Sequence, residues 1–238
     1  MMSAYAVQQG SCYISGNRLK AYNMICIRKI PRNRGGTDSH RNIAFMDKII
    51  FGGNKVEDWR KFEKECLEYL NKNYGKGLYV CHIPSAEELK KVINAKKDRN
   101  LNTEKHPVYA EVTPHHLFLN TEIRESTERN KMLLRMKPEL REKSDNEFLW
   151  EAINRGEIDT IGTDHAPHLI KEKLEKVTFG MPGVETSLAL MINAYNEGKI
   201  SLEMIQELMC ENPARIMSIA KRGKLQEGYF ADVIVVDT

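Results

Sequence analysis

Three short segments concentrate the side chains that can do chemistry. They are Leu78-Tyr-Val-Cys81-His82, Val108-Tyr-Ala-Glu-Val-Thr-Pro-His115-His116 and Ile161-Gly-Thr-Asp164-His165-Ala-Pro-His168. Each is an apolar run of β type that ends in polar residues. Six of the seven histidines lie between positions 82 and 168, and five of those six sit at these ends. A histidine and an aspartate at neighbouring strand ends can share a Zn2+ ion. Such an ion lowers the pKa of bound water towards ~7 and supplies hydroxide at neutral pH, with a nearby carboxylate to move the proton. Blander roles suit the same residues. A strand-end histidine is often a hydrogen-bonded structural residue, His115-His116 after Pro114 can cap a rim, and Asp164 can cap a turn.

The segments between these ends have the patterns of helices that would position them. Trp59, Phe62, Cys66 and Tyr69 with Leu70 recur at helical spacing, stopped by Gly75 or Gly77. Ser85-Ala-Glu-Glu88 reads as a capping box opening a helix that buries Leu89, Val92 and Ile93. Ser144-Asp-Asn-Glu147 reads as a second, opening a helix with Phe148, Leu149, Ala152 and Ile153 that Gly156 ends. Strands are expected at 78–81, 108–112 and 158–163. A helix is expected over 185–196, another capped by Ser201 and broken at Asn212-Pro213, and a β-type run at 228–237. Strands alternating with helices predict βα units, a parallel sheet, and a site at the carboxyl ends of the strands.

The 238 residues are enough for one large domain or two small ones. A complete eight-stranded barrel needs about 250 residues, so a full barrel plus a second domain does not fit. Lys and Arg number 36 against 33 Asp and Glu, a balance of +3 that does not point to nucleic acid. Mean hydropathy is −0.51, and no apolar run approaches the ~18 residues of a membrane helix. No basic segment followed by an apolar block marks a signal peptide at the start. Five dispersed cysteines without a CxxC pair suggest free thiols and a reducing, cytoplasmic setting. Residues 1–50 hold eight Lys/Arg and two Asp/Glu. That basic, breaker-rich head, residues 1–55, has no clean periodicity and stays unassigned; a foreign or garbled leader suits it better than a nucleic-acid patch.

The motifs resemble dihydroorotase of the amidohydrolase superfamily. The likeness rests on His82-Ile-Pro-Ser-Ala-Glu-Glu-Leu, Ala110-Glu-Val-Thr-Pro-His-His-Leu117, Gly162-Thr-Asp-His-Ala-Pro-His168, Phe179-Gly-Met-Pro-Gly-Val-Glu-Thr186, Glu211-Asn-Pro-Ala214 and the 223–232 segment, in the family's order. It covers roughly residues 56–238. It implies a partial (β/α) barrel of the metal-dependent hydrolase kind over 56–222 and the start of a flanking β-sandwich over 223–238. It implies a metal role for His82 and Asp164, with Cys81 able to touch the ion, and general acid/base work for Asp164. Lys137, in Arg135-Met-Lys-Pro-Glu-Leu140, stands where the family's animal branch has arginine; with His168 it is implied to hold a substrate carboxylate. Lysine keeps that charge without the bidentate fork. The backbone of Pro182 and Gly183 is implied to face the substrate ring. His115, His116 and His165 are left as rim or supporting residues.

The implied reaction is the reversible closure of N-carbamoyl-aspartate to dihydroorotate in pyrimidine synthesis, with one or two Zn2+ ions. The family's first-strand His-x-His occurs nowhere in this chain, and Asn54 to Arg60, where a fifth-strand histidine belongs, has none. The resemblance therefore implies the second half of such a barrel, without a full metal site. It also leaves two rivals: a hydantoinase or allantoinase, and a ligand-deficient, non-catalytic homologue or gene fragment, with aspartate transcarbamoylase as a possible structural partner. A half barrel exposes sheet edges and apolar faces, so a poorly soluble or oligomeric chain is expected.

Overall fold

Alternation along the sequence becomes a parallel sheet with helices on one side. The computed structural model describes residues 78–99, 102–104, 107–217 and 219–237, and the backbone of four short strands before them. These four are β1 (Tyr13–Ile14), β2 (Asn17–Arg18), β3 (Ile25–Arg28) and β4 (Ala44–Lys48). There follow β5 (Leu78–Val80), α1 (Ala86–Lys97), β6 (Val108–Val112), α2 (Pro114–Phe118), α3 (Thr121–Glu125), α4 (Glu128–Leu133), α5 (Lys143–Asn154) and β7 (Thr160–Ile161). The chain continues through α6 (Ile170–Glu175), α7 (Ser187–Asn196), α8 (Leu202–Gln206), a π turn (Glu207–Glu211) and α9 (Asn212–Ile216).

Five strands form one sheet in the order β3-β4-β5-β6-β7. The pairs β4–β5, β5–β6 and β6–β7 are parallel, and β3 joins antiparallel. The helix α1 between β5 and β6, and α2 to α5 between β6 and β7, make these the βα units of a partial barrel. The head that composition left unassigned thus supplies β4, which lies parallel to β5 with Phe45 opposite Tyr79. The helix expected around Trp59 to Leu70 lies outside the described residues.

The period of two in each strand sorts the two faces of the sheet. Val80, Val108, Ala110, Val112 and Ile161 point outward into a core with Leu89, Val92, Ile93, Leu149, Trp150 and Ile153. The alternate residues Tyr79, Tyr109, Glu111 and Thr160 share the other face. Leu149 is fully buried, and Trp150 Nε1 donates to the Leu117 carbonyl at 3.1 Å, fastening α5 to α2. Asn146 adds bonds from its amide to the carbonyls of His116 (2.7 Å) and Leu119 (2.9 Å). At the amino ends of the strands, Lys96 meets Asp159 at 2.6 Å, and the same carboxylate accepts the Ala110 N–H at 2.7 Å. One ion pair therefore holds the end of α1 against β6 and the entry to β7.

Several local expectations hold. Ser85 caps α1 and accepts the Glu88 N–H, Ser201 caps α8, and Gly156 at φ 70° ends α5. Others change. The α5 cap is Glu142, paired with Asp145, because the helix starts before Ser144. The strand expected over 158–163 contracts to Thr160–Ile161. Asn212-Pro213 does not break the helical path: Pro213 falls in the first turn of α9, where no N–H is needed, and a π turn absorbs the join. Residues 228–237 form no strand, and Val233, Ile234 and Val235 are exposed. An extended apolar run gains ladder bonds only from a neighbour, and among the described residues it has none.

Leu149→Ala is expected to lower stability by about 2–5 kcal/mol, since the enclosed site between α5 and the sheet cannot collapse around the void. Urea denaturation measures it; a loss below 1 kcal/mol would refute this packing.

Candidate functional site

Among the described residues, Glu111 of β6 places its carboxylate on the inner face of the sheet, between β5 and β7. Tyr79 of β5 donates its hydroxyl proton to Glu111 Oε2 at 2.7 Å. The Thr160 hydroxyl of β7 hydrogen-bonds the same Tyr79 oxygen. The backbone N–H of His82 donates to Glu111 Oε1 at 3.1 Å. Gly162, just past β7, leaves the remaining space: a Cβ there would lie 2.3 Å from Glu111 Oε2. Burial pushes the Glu111 carboxyl above the ordinary range; the Tyr79 and His82 contacts oppose this, and the Asp164 charge reinforces it. Burial, and next the charge of Glu111, also raise the Tyr79 phenol.

His82 and Asp164 take a common local form. Each follows its strand with a positive φ, 39° for His82 and 42° for Asp164. Non-glycine residues rarely adopt this conformation, and it costs of order 1 kcal/mol or more unless the surroundings hold it. At His82 the bond to Glu111 is part of that hold, so a β6 carboxylate orients a β5 strand end. His82 is buried, whereas Cys81 and Asp164 are half-buried. Zinc at a catalytic site takes three protein donors and keeps one position open. Among the described residues no three His, Cys, Asp or Glu side chains gather closely enough to hold a metal ion. Cys81, His82 and Asp164 therefore do not fit a complete zinc site, and no chemical step is assigned to one.

His115 and His116 lie beside this centre as neutral rings. His116 is fully enclosed; its Nε2 donates to the Pro138 carbonyl at 3.1 Å, so its Nδ1 accepts from the Thr113 hydroxyl at 2.7 Å. Burial and the neighbouring His115 hold its pKa well below the usual value. Burial, with His82 adding, lowers His115 to about 4.

The remaining predicted residues belong to two loops that meet over the end of β7. Lys137 places its Nζ 4.8 Å from the centre of the Phe179 ring. His168, exposed, donates from Nε2 to the Phe179 carbonyl at 3.0 Å. Both implied carboxylate anchors therefore touch one residue. Pro182 is exposed, and Gly183 is buried against Thr163, where a Cβ would come within 2.7 Å of the Thr163 carbonyl. His165 accepts at Nδ1 the N–H groups of Gly183 (3.0 Å) and Val184 (3.2 Å), and its backbone bridges Met181. The 179–184 loop is laced onto 163–168.

No motif in the sequence singles out Glu111 or Tyr79. A detectable signal existed for Glu111, a lone acid inside the apolar strand Val-Tyr-Ala-Glu-Val, where an isolated charge needs partners.

The sequence profile of the amidohydrolase family matches residues 64–238. A dihydroorotase of Methanosphaera stadtmanae is 31% identical over 232 residues, covering 95% of this chain and 48% of that protein. The match reaches well into the first 55 residues, which corrects the reading of the head as a foreign leader. A dihydroorotase of Pyrococcus horikoshii is 42% identical over 174 residues, 73% of this chain and 38% of that protein. The chain thus spans less than half the length of either relative. Among solved structures, an L-hydantoinase (dihydropyrimidinase) from Arthrobacter aurescens superposes with a TM-score of 0.60 at 31% identity, over 71% of this chain and 38% of that one. A D-hydantoinase from a Thermus species gives 0.61 at 24% identity, over 72% and 39%, and shares the fold.

Two measurements follow from this geometry. Gly162→Ala drives a methyl into the Glu111 carboxylate and should cost about 1–3 kcal/mol; in the Glu111→Ala background the cost should largely vanish, and an additive double-mutant cycle would disprove the contact. For His115, the unfolded chain binds the proton near pH 6.5 and the folded chain near 4. Stability should therefore fall as pH drops from 6.5 to 4, by about 3 kcal/mol from this ring alone. Chemical denaturation across that range should show the slope reduced in His115→Gln; an unchanged slope would count against a buried neutral ring.

Proposed function

The chain belongs to the amidohydrolase family, and from that premise we propose that it is the later-strand portion of a dihydroorotase, interconverting N-carbamoyl-L-aspartate and dihydroorotate. The observation that carries this reading is the meeting of Lys137 and His168 on Phe179, beside the strand end that bears Asp164. The Lys137 ammonium, together with the second ring nitrogen of His168 when that ring is protonated, suits a ring that carries a carboxylate, and a hydantoin ring has none. In the hydrolytic direction, the amide C–N bond of the ring breaks as a water oxygen adds to the carbonyl carbon. Asp164 is assigned the proton of that water and its return to the departing nitrogen. Lys137 and His168 hold the carboxylate, and the backbone at Pro182 and Gly183 limits the ring's position. Zn2+ is the ion such a site takes once further donors join His82 and Asp164. Free Cys81 and Cys210 suit a cytoplasmic protein, and no helix among the described residues is long and apolar enough to cross a membrane.

A second reading is favoured by the absence of a three-donor group among the described residues: a non-catalytic homologue that binds the ligand or supports a partner such as aspartate transcarbamoylase. Dihydroorotate titration and turnover, each with added Zn2+ and with a chelator, separate the two. Chelator-sensitive turnover supports the enzyme, with donors supplied from outside Cys81, His82 and Asp164. Binding without turnover supports the second reading. In both, Lys137→Ala and His168→Ala should weaken dihydroorotate binding at least about tenfold, and a hydantoin should compete poorly. Equal competition by a hydantoin would overturn the choice of substrate.

A further inference from the structure

Lys173 is the one buried residue of α6, 5% exposed, on a helix whose other residues are half-buried or exposed. Its ammonium forms no ion pair with a carboxylate among the described residues. It donates instead to three backbone carbonyls: Arg135 at 2.6 Å, Gly180 at 2.9 Å and Thr178 at 3.5 Å. These are all the protons an ammonium has. Burial, with the nearby charge of Arg135, lowers its pKa to about 8. A charge held at that cost, with its three bonds divided between two separate loops, has a definite geometric consequence.

One loop is the stretch from Arg135 to Lys137, and the other runs from Thr178 to Gly183. They meet where the Gly180 N–H donates to the Arg135 carbonyl at 3.0 Å, the same oxygen that Lys173 holds, and where Lys137 lies over the Phe179 ring. Phe179 lies between two of the carbonyls bound by Lys173; its ring lies under Lys137 and its carbonyl accepts from His168. We propose that Lys173 is a positioning residue that clamps these two loops and so sets the spacing of Lys137 and His168 as a joint anchor for a substrate carboxylate. The inference rests on the proposed function for its ligand, and on the hydrogen bonds alone for the clamp. Lysine suits the task because its protons diverge from one point. The planar guanidinium of arginine directs its donors within one plane and cannot reproduce the fan.

The test compares the unaltered chain with Lys173→Met, Lys173→Arg and the exposed control Lys171→Met. Three readouts are used: hydrogen exchange at the Gly180 amide, the ring-current shift of the Lys137 side chain over Phe179, and the dissociation constant for dihydroorotate. Lys173→Met should speed Gly180 exchange at least tenfold, abolish the ring-current shift and weaken binding at least tenfold, with exchange of the Val112 and Leu149 amides unchanged. Lys173→Arg should restore little, and Lys171→Met should match the unaltered chain. Unchanged exchange or an unchanged ring-current shift overturns the clamp, whether or not the chain binds dihydroorotate. A lost ring-current shift with undiminished binding overturns its role in the anchor. If the unaltered chain does not bind dihydroorotate, the proposed function fails and the first two readouts still decide the clamp. Should Lys173→Met not fold, the ammonium protons of Lys173 in the unaltered chain are observed instead. Slow exchange with water supports the clamp, and exchange as fast as at exposed lysines refutes it.

Discussion

A carboxylate on the inside of a parallel sheet must be satisfied by the sheet itself, and that requirement organises this protein. Glu111 lies on the middle one of three strands and draws on both neighbours: a hydroxyl from β5, a backbone N–H from just past the end of β5, and open space from the glycine after β7. Net hydrogen bonds of this kind contribute about 1–3 kcal/mol each when one partner is charged. The larger effect is negative. Withdrawing any one of them leaves a carboxylate in an environment that already resists its charge. The strand register is thereby tied to a polar cluster as well as to an apolar face.

The same carboxylate links the interior to the rim. It accepts from the His82 backbone where the chain turns through a positive φ, and its potential is felt together with that of Asp164, at the matching turn of β7. The His82 strand end is therefore held by a backbone geometry that the sheet interior helps maintain. Around it, His116 is locked as a neutral ring between Thr113 and Pro138, and Asn146 fastens the α2 region to α5.

In the proposed reading, Lys137, His168 and Asp164 stand on elements described here, whereas among the described residues no three donors gather into a metal-binding group. The chain also spans less than half the length of the relatives it matches.

Much of this was legible in the residues. Polar groups following apolar runs marked the strand ends, Ser85 and Ser201 announced helix starts by their side-chain chemistry, and Gly156 announced a stop by its tolerance of positive φ. These are local properties, decided within a few residues. The motif order carried the family for the same reason, because each motif is a contiguous piece. What tertiary structure alone decided was every relation between pieces. Composition made the head look foreign, yet its strand β4 pairs with β5, because ladder bonds depend on backbone register and not on charge balance. An apolar run at 228–237 read as a strand and is none, because a strand exists only beside a partner. Glu111 and Lys173 were two charged residues among 69 until the fold surrounded them. A buried charge gains its meaning from the groups brought within about 3 Å of it, and those come from segments dozens of residues away.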